Sequence, residues 1–159
     1  MTEWYTYTIQ DFLMYSPRTW QRLVERYNGE LWPIHLLALG LGLFILTRVL
    51  RPGPAPGRAV PAILATLWAW VAGAFLWQRF ATISTGARWF AAAFLLQALL
   101  LAASAVRGGF VVVPVRGRTT SWAGLVLLLL AVAWYPLMAP LAGRGLGAAQ
   151  VFGIMPDPT

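Results

Sequence analysis

Four long apolar stretches, with almost no charge inside them, constrain this chain more than any other feature. They cover residues 31–50, 59–78, 89–106 and 122–139. At about 1.5 Å per residue, each is long enough as a helix to cross a hydrocarbon layer of about 30 Å. A soluble helix of this length needs a polar face, and none of the four has one. The pattern therefore predicts an all-α, polytopic membrane protein with four transmembrane helices in one bundle over residues 31–139.

Composition and charge point the same way. Hydrophobic residues make up 59% of the chain and charged residues only 11%, which is extreme for a soluble domain. The net charge is +7, but the arginines stand at the ends of the apolar stretches and in the loops, without a basic stripe on one element. That placement is typical of charges flanking a bilayer and argues against a nucleic-acid partner. The chain has no cysteine, so disulfides and thiolate metal sites are excluded.

The first thirty residues are polar and aromatic and predict a helix of a different kind. Ser16 followed by Pro17 is a helix-start signal. Apolar side chains then recur at helical spacing, at Trp20, Leu23, Val24 and Tyr27. We expect residues 1–30 to hold an amphipathic helix lying in the membrane interface. The alternative is that the same apolar face packs on the bundle.

Small residues predict which of the four stretches pack together, because they let helix backbones approach closely. The turn between the second and third stretches is short, which predicts an antiparallel pair. The small residues are Ala65, Ala69, Ala72 and Gly73 in the second stretch, and Ala91, Ala92, Ala93 and Ala98 in the third. After the fourth stretch, residues 140–159 are expected to form a Gly- and Pro-rich tail.

Five polar positions in or beside the apolar stretches are candidate functional residues: His35, Gln78, Arg79, Arg88 and Gln97. His35 could relay protons, although a neutral, hydrogen-bonded histidine is the favoured interpretation. Arg79 and Arg88 could bind an anion, or they could simply extend their charges to the membrane surface. Gln97 could line a pore, although an interhelical hydrogen bond explains it more simply.

The absence of acidic residues between Glu30 and Asp157 argues against several classes of membrane protein. Ion-coupled transporters and intramembrane proteases generally need buried carboxylates or histidines. We therefore expect no enzyme activity, no cofactor and no metal. The favoured function is a structural or accessory membrane subunit; a small oligomeric transporter or channel is the alternative, and a membrane-embedded enzyme is favoured least. The expected partners are the lipid bilayer and either copies of this chain or another membrane protein, in a bacterial inner membrane.

Three short motifs resemble an uncharacterised bacterial family of integral membrane proteins, the domain of unknown function 6064. The first is Arg26-Tyr-Asn28 followed by Leu31-Trp-Pro33. The second combines Gln78–Ile83 with Trp89-Phe-Ala and Leu95-Leu-Gln97, and the third is Phe152-Gly-Ile-Met-Pro-Asp-Pro-Thr159. In that family further apolar spans follow the last motif, so the resemblance implies that this chain lacks them. The resemblance implies an architecture but no mechanism.

Overall fold

The fold is described by a computed structural model over residues 15–51, 57–110 and 119–159. Across these residues it is all-α, as predicted, with one isolated β-bridge between Gly57 and Phe110. The α-helices are α1 Pro17–Leu31, α2 Ile34–Leu50, α3 Ala59–Trp70, α4 Ala87–Val106, α5 Thr119–Leu129 and α6 Tyr135–Leu141. Two π-helical segments, Val71–Trp77 and Leu130–Trp134, extend α3 and join α5 to α6. Short 3₁₀ turns lie at Phe80–Thr82 and Leu146–Ala148.

Within the described residues, three helices are long and apolar enough to cross a membrane by length and composition: Ala59–Thr82, Ala87–Val106 and Ser121–Leu141. They correspond to the second, third and fourth predicted stretches. The first differs, because α1 and α2 meet at an angle of 89° and form one bent pair. Leu31 consequently ends α1, and the straight part of the first stretch begins only at Ile34.

Helix α1 begins as the sequence predicted, with the Ser16 side chain accepting a hydrogen bond of 3.2 Å from the backbone N–H of Thr19. Its apolar face lies against the other helices: Val24 and Tyr27 are buried there, and the Tyr27 ring packs 5.1 Å from that of Phe75. Of the two interpretations of this amphipathic helix, the contacts therefore favour packing on the bundle.

Helices α3 and α4 form the most extensive antiparallel contact among the described elements. Ala72 and Ala91 are fully buried, as their small size predicted, and the rings of Trp68 and Phe94 pack 4.4 Å apart. For other small residues, the prediction that they lie in the contact between these helices was wrong. Ala69, Ala92 and Ala93 are exposed, and a Cβ at Gly73 would meet no atom within 4 Å. For Ala92 and Ala93 the reason is rotational: they directly follow the buried Ala91, and only about every fourth helical residue faces a given neighbour.

The C-terminal segment, residues 142–159, turns back into the protein instead of trailing as a tail. Phe152 packs with Ile45, Leu67 and Val132, which lie on three different helices. The chain reverses after α6 at Gly143, where φ is +71°. A second turn lies at Gly153, where φ is +78° and an added Cβ would lie 2.8 Å from Cδ2 of Leu67. Only glycine adopts that conformation readily in so little space. Ile154 and Met155 follow and are buried in the core with Tyr27 and Phe75.

Candidate functional site

Asn28 joins α1, α2 and the C-terminal segment through one side chain. Its Nδ2 donates to the carbonyl oxygens of Gly147 at 2.7 Å and Ala149 at 2.8 Å. Its Oδ1 lies 3.1 Å from Nε2 of His35. Both polar side chains are almost fully enclosed, with 6% of Asn28 and 8% of His35 exposed. One amide thus satisfies two backbone carbonyls that no helix would satisfy.

The same hydrogen bonds place a proton on Nε2 of His35. Two carbonyls need the Asn28 NH₂ group as their donor, so the amide oxygen faces His35 and accepts from Nε2. Nδ1 is buried without a hydrogen-bond partner among the described residues. His35 is thus held by a hydrogen bond inside the protein, and its neutral state stays a prediction.

An apolar groove of about 380 Å³ runs beside this pair. It lies between the bend of α1 and α2 on one side and α6 with the C-terminal segment on the other. Its apolar wall comes from both sides and includes Trp32, Leu36, Leu39, Leu137, Leu146 and Val151. The groove therefore offers hydrophobic contact with a small polar patch, the pairing typical of small-molecule sites.

A second cavity, which we call the arginine cavity, lies between α1 and the end of the helix that α3 begins. Its volume is about 800 Å³, and it is open to the surroundings. Three guanidinium groups and one amide line it, together with apolar and hydroxyl side chains. The lining consists of Arg22, Leu23, Arg26, Trp77, Gln78, Arg79 and Thr82. Sequence reasoning selected Gln78 and Arg79 here but missed Arg22 and Arg26.

One carboxylate holds two of these arginines. Glu30 pairs with Nε of Arg26 at 3.0 Å through Oε1, and with Arg79 through Oε2. Hydrogen bonds from Arg79, and then from Arg26, lower the pKa of Glu30 below its ordinary value. Arg22 has no side-chain hydrogen bond or ion pair within the described part of the chain. The three arginines and this one carboxylate leave a local charge of +2.

The remaining sequence candidates lie elsewhere. The guanidinium of Arg88 stands 5.7 Å from the ring centroid of Trp77, one of the residues that line the arginine cavity, but Arg88 is not part of that lining. Gln97 is half-buried on α4 and has no side-chain hydrogen bond within the described ranges. The structure therefore brings Gln78 and Arg79 together, places Arg88 next to them, and leaves His35 in a separate cluster.

Asp157 forms a third polar cluster with Gln150 and Arg144 around a cavity of about 160 Å³. Although its side chain is exposed, partial desolvation raises the pKa of Asp157, and a hydrogen bond with Gln150 opposes that rise. The described residues hold no group of three or more His, Asp and Glu side chains able to bind a metal ion.

Residues 18–159 match a family of unknown function, DUF6064. The chain belongs to this family. The match confirms the resemblance seen in the short motifs, and it covers nearly the whole chain. No curated protein and no solved structure matches. In this family member the first and last motifs are in contact, because the Tyr27 hydroxyl donates to the carbonyl of Ile154 at 3.5 Å.

Proposed function

We propose that this chain is an integral membrane protein that crosses the bilayer four times and serves as a structural or accessory subunit. The observation that supports this best is the amount of apolar surface left uncovered. In α4 and in Ser121–Leu141, only 17% of the most apolar part of each helix is buried inside the protein. Trp89 at the start of α4 is 80% exposed. Such continuous apolar surface is stable in lipid and would associate in water.

The charge distribution supports the same proposal. No acidic residue occurs between Glu30 and Asp157, so none lies within the apolar helices. The arginines of the long apolar helices stand at or near the helix ends, where long side chains reach the headgroups. The C-terminal segment is irregular backbone beside apolar helices, and such backbone is tolerated in a membrane only where protein covers it. Asn28 and Tyr27 supply that cover by hydrogen-bonding its carbonyls.

An accessory role is favoured over transport because the buried polar pair of His35 and Asn28 is engaged inside the protein. His35 is bonded to Asn28, and no carboxylate on the apolar helices is available to pass an ion or a proton onward. The uncovered helix faces are left for lipid, for a second copy or for a membrane partner.

Two measurements test the proposal. The protein should stay in the membrane fraction after carbonate extraction, and recovery in the soluble fraction would contradict membrane insertion. Purified protein in liposomes should give no proton or ion flux above protein-free liposomes. A flux that is lost in a folded Gln97→Leu variant would instead support the transporter alternative.

A further inference from the structure

We propose that the arginine cavity binds the phosphate group of an anionic phospholipid. The inference rests on the proposed membrane insertion, because it needs the cavity to lie at the lipid headgroups. Arginine presents a planar fork of N–H donors that matches phosphate oxygens, and three arginines line this one cavity.

The net positive charge around the cavity favours the binding of an anion. Arg22, Arg26 and Glu30 follow one another at intervals of four residues, so they stand on one face of α1. Glu30 engages Arg26 and Arg79 and holds both guanidinium groups at the cavity wall. Arg22 remains without a counter-ion among the described residues and stands one turn from another cation. A bound phosphate would relieve this repulsion, and Arg22 is the donor best placed to be recruited.

The apolar part of the lining distinguishes a lipid from a free phosphate ion. Leu23 and the ring of Trp77 border the same cavity, and Trp77 is 57% exposed. Trp77 lies where the apolar run of the α3 helix gives way to Gln78 and Arg79. Tryptophan at such a position typically marks the headgroup level. A lipid could therefore place its phosphate among the arginines and its first methylenes on Leu23 and Trp77.

The test compares two single-charge variants of α1. Arg22→Gln removes a cavity arginine with no partner to strand, and Arg18→Gln removes the same charge from an exposed site one turn earlier, outside the cavity. The protein is purified in dodecylmaltoside and titrated with phosphatidylglycerol, phosphatidylcholine or inorganic phosphate. Binding is followed as the rise in midpoint temperature, monitored by the fluorescence of its nine tryptophans.

We expect phosphatidylglycerol to stabilise the protein and phosphatidylcholine to do so much less. Losing one charge-assisted contact should weaken phosphatidylglycerol binding about tenfold in Arg22→Gln. Arg18→Gln should bind like the unaltered protein. Equal weakening in both variants would overturn the site, because it would indicate non-specific attraction to net charge. Stabilisation by inorganic phosphate as strong as that by phosphatidylglycerol would overturn the lipid assignment.

A result that refutes the phosphate site can be distinguished from one that refutes membrane insertion. Carbonate extraction does not depend on the arginine cavity, so Arg22→Gln should remain in the membrane pellet. A protein that stays in the pellet but shows no preference for anionic lipid refutes the phosphate site alone.

Discussion

Replacing Asn28 by leucine should destabilise the protein by more than the loss of one hydrogen bond, because this side chain makes three. Leucine has a similar volume, so the change removes hydrogen bonds with little change in packing. It strands the carbonyl of Ala149 and the Nε2–H of His35 in buried surroundings, and it leaves the carbonyl of Gly147 unpaired at a partly buried position. At an average of about 0.6 kcal/mol for a hydrogen bond between membrane helices, three such bonds amount to about 2 kcal/mol. Each of the two buried groups costs about 1–3 kcal/mol when it is left unsatisfied, so we expect a loss of about 2–6 kcal/mol.

The measurement is unfolding in mixed micelles of dodecylmaltoside and increasing sodium dodecyl sulfate, followed by tryptophan fluorescence. Glu25→Gln is the matched control, since Glu25 is exposed on the same helix and makes no hydrogen bond or ion pair with other described residues. It should change the free energy of unfolding by less than about 0.5 kcal/mol.

A double-mutant cycle isolates the contact with His35. In Asn28→Leu the histidine keeps a buried, unpaired N–H, and adding His35→Leu removes that group. The double variant should therefore be less destabilised than the sum of the single variants by about 1–2 kcal/mol. An Asn28→Leu cost below about 1 kcal/mol, or strictly additive effects, would refute the proposed role of this amide.

Three further predictions concern packing, backbone conformation and pH. Ala72→Leu should lower the free energy of unfolding by about 1–3 kcal/mol through overpacking, whereas Ala69→Leu on the exposed side should leave thermal unfolding in detergent unchanged. Gly153→Ala should cost about 1–3 kcal/mol because φ there is +78°, whereas Gly147→Ala, with no atom within 4 Å of the new Cβ, should cost little in the same assay. Partial desolvation raises the folded-state pKa of Asp157 above its ordinary 3.8, so the stability that the protonated carboxyl contributes is complete at lower pH and is lost as the pH rises through the folded pKa. Asp157→Asn should consequently raise the midpoint temperature at pH 7 and flatten its decline between pH 4 and 7; an unchanged pH profile would contradict the desolvation of this carboxyl.

The sequence specified the elements whose signals are local. Long apolar runs and the Ser16–Pro17 start each depend on neighbouring residues, so three of the four stretches and the beginning of α1 agree with the structure. Part of the arginine cavity could also be predicted from local spacing. Arg22, Arg26 and Glu30 stand at helical spacing in the sequence, but nothing local indicated that Arg79 would join them.

Uniformly apolar helices carry little information about which face turns inward, and this explains the errors at Ala69 and Gly73. If the chain is inserted in a membrane as proposed, no hydrophobic force selects a face, and small differences in side-chain fit select it. A count of small residues therefore predicted that α3 and α4 are neighbours, but not their rotation.

What the sequence determined by itself is the helical, apolar character of the chain, because hydropathy and helix length are properties of consecutive residues. Only the tertiary structure decided where residues 142–159 go and what Asn28 does. The carbonyls that Asn28 satisfies lie 119 and 121 residues further along the chain. No periodicity connects positions so far apart, because their meeting depends on the bend after α1 and on the turn after α6 at Gly143. The sequence singled out His35 as a polar position, but only the fold pairs it with Asn28.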